Sequence, residues 1–152
     1  MTHKSSIRTD KIRFLLSEIS LSLTIIRDNL PETTDYDEFT GLGLLKDGLY
    51  KRLEYILQNI FDICAILNRD LKLGVPMNDD AIIGNLVESG FLDPEMGELL
   101  KDMKGLRNIL VHQYGKINDL LVFDVLMTQL NDISAVCSHL EQLINSYPCK
   151  TA

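Results

Sequence analysis

The stretch 101–119, KDMKGLRNILVHQYGKIND, gathers side chains able to do chemistry: Arg107, Asn108, His112 and Tyr114. On a helix, Asn108 and His112 stand four apart and share a face, while Arg107, Val111 and Tyr114 follow the row beside it. Arg107 is long enough to reach round to His112. A guanidinium can hold a phosphate through paired N–H groups, and an imidazole ordinarily exchanges protons near neutral pH. Together they suit phosphodiester cleavage by general acid–base catalysis, for which no metal or cofactor is required. Lys101, Lys104, Arg107 and Lys116 outnumber Asp102 and Asp119, so the stretch carries +2 in a chain of net charge −7. Any RNA must therefore be drawn to this local patch, because the surface as a whole repels it. The same residue types also fit an ordinary solvated helix end, and spacing alone leaves both readings open.

Such a site needs a scaffold, and the composition points to an all-α one. The chain has 152 residues, 45% hydrophobic, with no Trp and four Pro, and is rich in Leu and Ile; this suits one domain over 1–152, with 1–6 and 147–152 as frayed tails. Ile12, Leu15, Leu16, Ile19, Leu23, Ile26 and Leu30 recur at helical spacing until Pro31, after which ETTDYDEF reads as an acidic connection. A second long helix carries Leu49, Leu53, Ile56, Leu57, Ile60, Ile63, Cys64, Leu67 and Leu71 and ends before Gly74 and Pro76. Asn78 or Asp79 can cap a short helix closed by Gly90; Asp93-Pro94 starts the motif helix; Asn118 caps a last one running to Pro148. Four long helices plus one short helix, joined by short loops, predict an antiparallel up-and-down bundle.

Other classes find no support. The N-terminus is polar, no run of 18 apolar residues occurs, and three cysteines (Cys64, Cys137, Cys149) stand at wide spacings. The chain thus reads as neither exported nor membrane-spanning, and a reducing cytoplasm suits it. Gly41 and Gly43 lack the rest of a dinucleotide fingerprint, and no phosphate loop ends in Gly-Lys-Ser or Gly-Lys-Thr. Glu-x-x-His pairs of di-iron bundles are missing, while His3 reads as a tail residue and His139 as a surface one.

Arg-Asn-(three residues)-His-x-Tyr closing a bundle helix, here RNILVHQY, resembles the HEPN superfamily and within it the HepT-like toxins. The order of helices, with RLEYILQNIFDICAIL in the second, agrees over most of the chain. The resemblance implies a metal-independent endoribonuclease toxin with Arg107 and His112 as catalytic residues. Asn108 is then the polar residue after the Arg, with Lys104 and Lys116 helping to bind a tRNA or mRNA. It also implies a two-fold homodimer with the motifs near the axis, and a nucleotidyltransferase antitoxin of the MNT type that transfers AMP to Tyr114. Family members often carry an acidic residue in the second helix where this chain has Gln58; Asp62, one turn later, is the candidate for that supporting role. The alternative is a non-catalytic helical module that binds a nucleotide or docks a nucleotidyltransferase.

Overall fold

Leu49, Leu53, Ile56, Leu57, Ile60, Phe61, Ile63, Cys64, Ile66 and Leu67 are all buried in α3 (Leu44–Asp70). They occupy more than one stripe of the helix, so α3 must be covered on several sides. In the computed structural model, which describes residues 6–32, 35–112 and 117–149, α1 (Thr9–Asn29), α4 (Asp79–Glu88) and α5 (Pro94–His112) pack against it. Helix α1 contributes one stripe, Ile12, Leu15, Ile19, Leu23 and Ile26, and α7 (Leu130–Asn145) packs on α1 in turn.

Polar contacts give the helix directions. Arg8, just before α1, meets Asp70 at the end of α3, and Tyr55 and Arg52 of α3 meet Glu18 and Ser22. The two helices are therefore antiparallel. Arg13 with Asn145 and Arg27 with Asn131 make α1 and α7 antiparallel as well. Asp70 is a carboxylate with a side chain only 1% exposed, which would be costly alone; Arg8 satisfies it with both its backbone N–H and its Nε, each at 3.0 Å.

The all-α antiparallel expectation holds, and the caps fall where the sequence placed them. Asn78 accepts from Ala81 N at 2.8 Å, Asp93 from Met96 N at 2.7 Å and Asn118 from Leu121 N at 3.3 Å. Gly90, with φ of 82°, ends α4: its N–H reaches Val87 O while Phe91 N reaches Leu86 O, the paired bonds of a left-handed C-terminal cap. The helix count differs. Among the described residues there are seven helices, because α2 (Tyr36–Thr40) forms inside the acidic connection and the closing helix is split into α6 (Asp119–Thr128) and α7. Phe39 explains the first difference: it is fully buried, 5.0 Å from the Phe123 ring and 6.1 Å from Tyr50. The second is a 61° bend, at which Thr128 Oγ1 donates back to Asp124 O at 2.7 Å, a bond that favours bending. The C-terminal tail also needs correcting. Residues 147–149, expected to fray, are tied down because Ile7 N donates to Pro148 O at 3.1 Å, Ile7 is fully buried, and Tyr147 packs on the core.

Helices α4 and α5 run antiparallel in close contact at Gly97, where an added Cβ would lie 2.7 Å from Val87 Cγ2. Valine is β-branched and has little freedom to swing away. Overpacking of about 1–3 kcal/mol outweighs the gain in helix propensity of about 1 kcal/mol. Gly97→Ala should therefore cost about 1 kcal/mol of stability net, read as a lower denaturant midpoint at unchanged m; a variant as stable as the parent would contradict this crossing.

Candidate functional site

Met103, Leu106 and Leu110 are the buried residues in the second half of α5, and this stripe fixes the rotation of the helix. Arg107 then leaves α5 beside α3 and α4. Its guanidinium lies 4.7 Å from the centre of the Phe61 ring, and its Nη2 donates to Asp79 Oδ2 at 2.6 Å and to Asn108 Oδ1 at 3.1 Å. The side chain is only 12% exposed. Next along the helix, Lys104 Nζ donates to Asp80 Oδ1 at 2.7 Å. Two adjacent carboxylates at the start of α4 thus face two cations of α5.

The carboxylates are held there by the fold. Asn78 caps α4, and the positive end of a helix suits Asp79 and Asp80 in the first turn. Buried Asn68 of α3 donates to Gly74 O at 2.9 Å and accepts from Asn85 of α4 at 3.0 Å, so the loop and α4 are fixed to α3 together. With one partner of each pair at least a third exposed, these ion pairs contribute about 1 kcal/mol each, and a cation on an aromatic face about 0.5–2 kcal/mol. Their main consequence is the pose of the guanidinium.

His112 is the last residue of α5 and is exposed. Arg107 does not reach round to it as expected; the guanidinium goes to α3 and α4. Lys104, Arg107 and Asn108 are brought together, whereas Tyr114 and Lys116 lie outside the described residues. Asp62 is not part of this group. It is exposed, accepts from Gln58 Nε2 at 2.9 Å, and opens on a groove of about 830 Å³ lined by Lys11, Phe14 and Arg69. The basic patch is also weaker than its sequence suggested, since Lys101 pairs with Glu98, Lys104 with Asp80 and Arg107 with Asp79. On the far side of the motif turn, Asp119 accepts from Tyr50 at 2.5 Å and Lys46 at 3.1 Å, which anchors the chain where α6 begins. Burial and Asp119 together push the Tyr50 phenol far up, so it stays a donor. His139 is half-buried, its Nε2 bonding Phe91 O at 2.8 Å.

Phe61, Asp79 and Asp80 were missed by sequence reasoning. Asp79 and Asp80 were visible only as residues of a helix start, with nothing to say which cations they would meet.

The family pattern described as Ribonuclease HepT-like matches residues 19–140. The chain belongs to that family. It is 31% identical over 98 residues to the mRNA nuclease HepT of Shewanella oneidensis, covering 64% of this chain and 74% of that protein. Its fold is similar to that of the tri-AMPylated HEPN toxin of the same organism in complex with an MNT antitoxin, with TM-score 0.78 and 24% identity over 88% of this chain and 98% of that one. A cytosolic protein of unknown function from Bacillus subtilis also shares the fold, with TM-score 0.71 and 17% identity over 92% and 90% of the two chains. The matched span of this HepT-like chain takes in α2 to α6 whole, and with them Phe61, Asp79 and the motif.

Cys64, one turn beyond Phe61, marks how dry this layer is: burial first, then the charge of Asp79, pushes its thiol up to about 12. Burial does the same to Cys137, also to about 12. Only thiolates react readily, so a thiol reagent at pH 8 should label exposed Cys149 quickly and the other two only on unfolding. Fast labelling of Cys64 in the native protein would contradict the packing of α4 on α3.

Proposed function

We propose that this HepT-like chain is a metal-independent endoribonuclease toxin in which Arg107 and His112 are the catalytic pair. The observation that carries the proposal is the guanidinium fixed on Phe61 and Asp79, on a helix whose last residue is an exposed His112. Family membership supplies the reaction class.

His112 takes the proton from a ribose 2′-hydroxyl; O2′ attacks the adjacent phosphorus and the bond to O5′ breaks, leaving a 2′,3′-cyclic phosphate and a 5′-hydroxyl. Arg107 stabilises the charge that builds on the phosphoryl oxygens, where its fixed N–H groups need no rearrangement. Asn108 and Lys104 border the same surface, and Lys116 is assigned to RNA binding as well. The leaving oxygen needs a proton, which His112 of a second copy would deliver across a two-fold dimer. Asp62, which faces away on the α1–α3 groove, is given no part in the reaction.

The partner is proposed to be an MNT-type nucleotidyltransferase that silences the toxin by transferring AMP to Tyr114. The AMPylated HEPN toxin held by an MNT antitoxin in the structural relative supports this. A phosphate and nucleoside on Tyr114, two residues after His112 in the chain, would add negative charge and bulk that repel RNA. The competing reading, a module that only docks such an enzyme, draws on the net charge of −7 and the paired cations.

Purified protein incubated with tRNA and mRNA in EDTA should yield fragments with cyclic phosphate ends. His112→Ala should be slower by about 10²- to 10⁴-fold, and Arg107→Lys should also lose most activity because a point charge cannot replace the fork. Equal cleavage by parent and His112→Ala would overturn the assignment in favour of the docking module. Tyr114→Phe should still cleave RNA yet take up no label from radioactive ATP and the antitoxin; labelling of that variant would move the modification elsewhere.

A further inference from the structure

Resting on the ribonuclease reading, we propose that Asp79 is the positioning residue of the reaction, acting through Arg107. An arginine side chain turns about four torsions, and its charge serves a transition state only if the planar group is already in place. Here two contacts fix it. The Phe61 ring centre lies 4.7 Å from the guanidinium carbon, and Asp79 Oδ2 takes Nη2 at 2.6 Å. Asn108 takes the same nitrogen, so Nε and Nη1 make no hydrogen bond among the described residues.

Asp79 can do this because it is itself immobilised. It is the first residue of α4, behind the Asn78 cap, on a helix pinned to α3 through Asn85 and Asn68 and to α5 through the close approach at Gly97. The short helix α4 thus serves as a bracket that carries one carboxylate to the motif. Asp80 does not share the role: it is 49% exposed and its partner is Lys104, a point charge with no plane to orient.

The test separates positioning from folding and from charge. Asp79→Ala should lower kcat for RNA cleavage by about 10²-fold with KM little changed, as misplacement of a catalytic group by an ångström does. Asp79→Glu should recover part of the loss, and Glu98→Ala, which removes an exposed carboxylate paired only with Lys101, should leave kcat alone. Combined with Arg107→Ala, Asp79→Ala should cause no additional loss, because nothing is left to position. NMR of arginine side chains gives a readout independent of activity: Arg107, assigned by its disappearance in Arg107→Lys, should show slowly rotating Nη groups that average in Asp79→Ala. An unchanged Arg107 signal in Asp79→Ala would overturn the clamp. A multiplicative loss on top of Arg107→Ala, or a lowered KM with full kcat, would overturn the positioning role; the latter would make the carboxylate a competitor of phosphate. A parent protein with a held Arg107 that cleaves no RNA would instead overturn the ribonuclease reading, and the catalytic role of Asp79 with it.

Discussion

The crossing of α4 over α5 sets the pose of Arg107, and much of the structure serves that crossing. Gly97 lets the helices touch, Gly90 ends α4 in time for the chain to turn back, and Asn78 starts it with two carboxylates in its first turn. From the other side α3 supplies Phe61 and the buried Asn68. None of these contacts is strong alone. A few contributions of about 1 kcal/mol each, made to a segment already packed, suffice to hold one guanidinium still.

That arrangement bears on how an acidic chain would meet RNA under the proposed function. With net charge −7 and its motif cations facing carboxylates, the protein gains little from long-range attraction. A phosphate that approaches Arg107 meets a pair already partly neutralised, so recognition rests on geometry at short range more than on charge density. Such a surface should bind RNA weakly and with a shallow dependence on salt, as few counterions are released. Under the proposed function, a small and local site is one that a single nucleotide added to Tyr114 can block.

Much of the fold was legible in the sequence because its signals are local. Asn78, Asp93 with Pro94, Asn118 and Gly90 mark helix ends through bonds to residues within a few positions, and the apolar periodicity of α1 and α3 is visible in any window. Helix α2 was hidden because a single aromatic residue, Phe39, anchors it through contacts with distant Phe123. The break at Gln129 was hidden because no Pro or Gly marks it. For the candidate site, Arg107, Asn108 and His112 were nominated by the RNILVHQY pattern, but the neighbours of Arg107 were not. Asp79 lies 28 residues away in the chain, and only the antiparallel packing of α4 and α5 decides that it meets Arg107. The expected contact between Arg107 and His112 failed for the same reason, since a nearer carboxylate and an aromatic face captured the guanidinium.

The central claim is that the chain cuts RNA by using the substrate's own 2′-hydroxyl. It is tested most directly with an oligoribonucleotide that the protein cleaves at one mapped position, compared in EDTA with the same strand carrying a single 2′-deoxy nucleotide there. The account predicts that cleavage at that position disappears while binding of the strand is retained. Continued cleavage at the deoxy position, at the rate of the all-ribose strand, would contradict it.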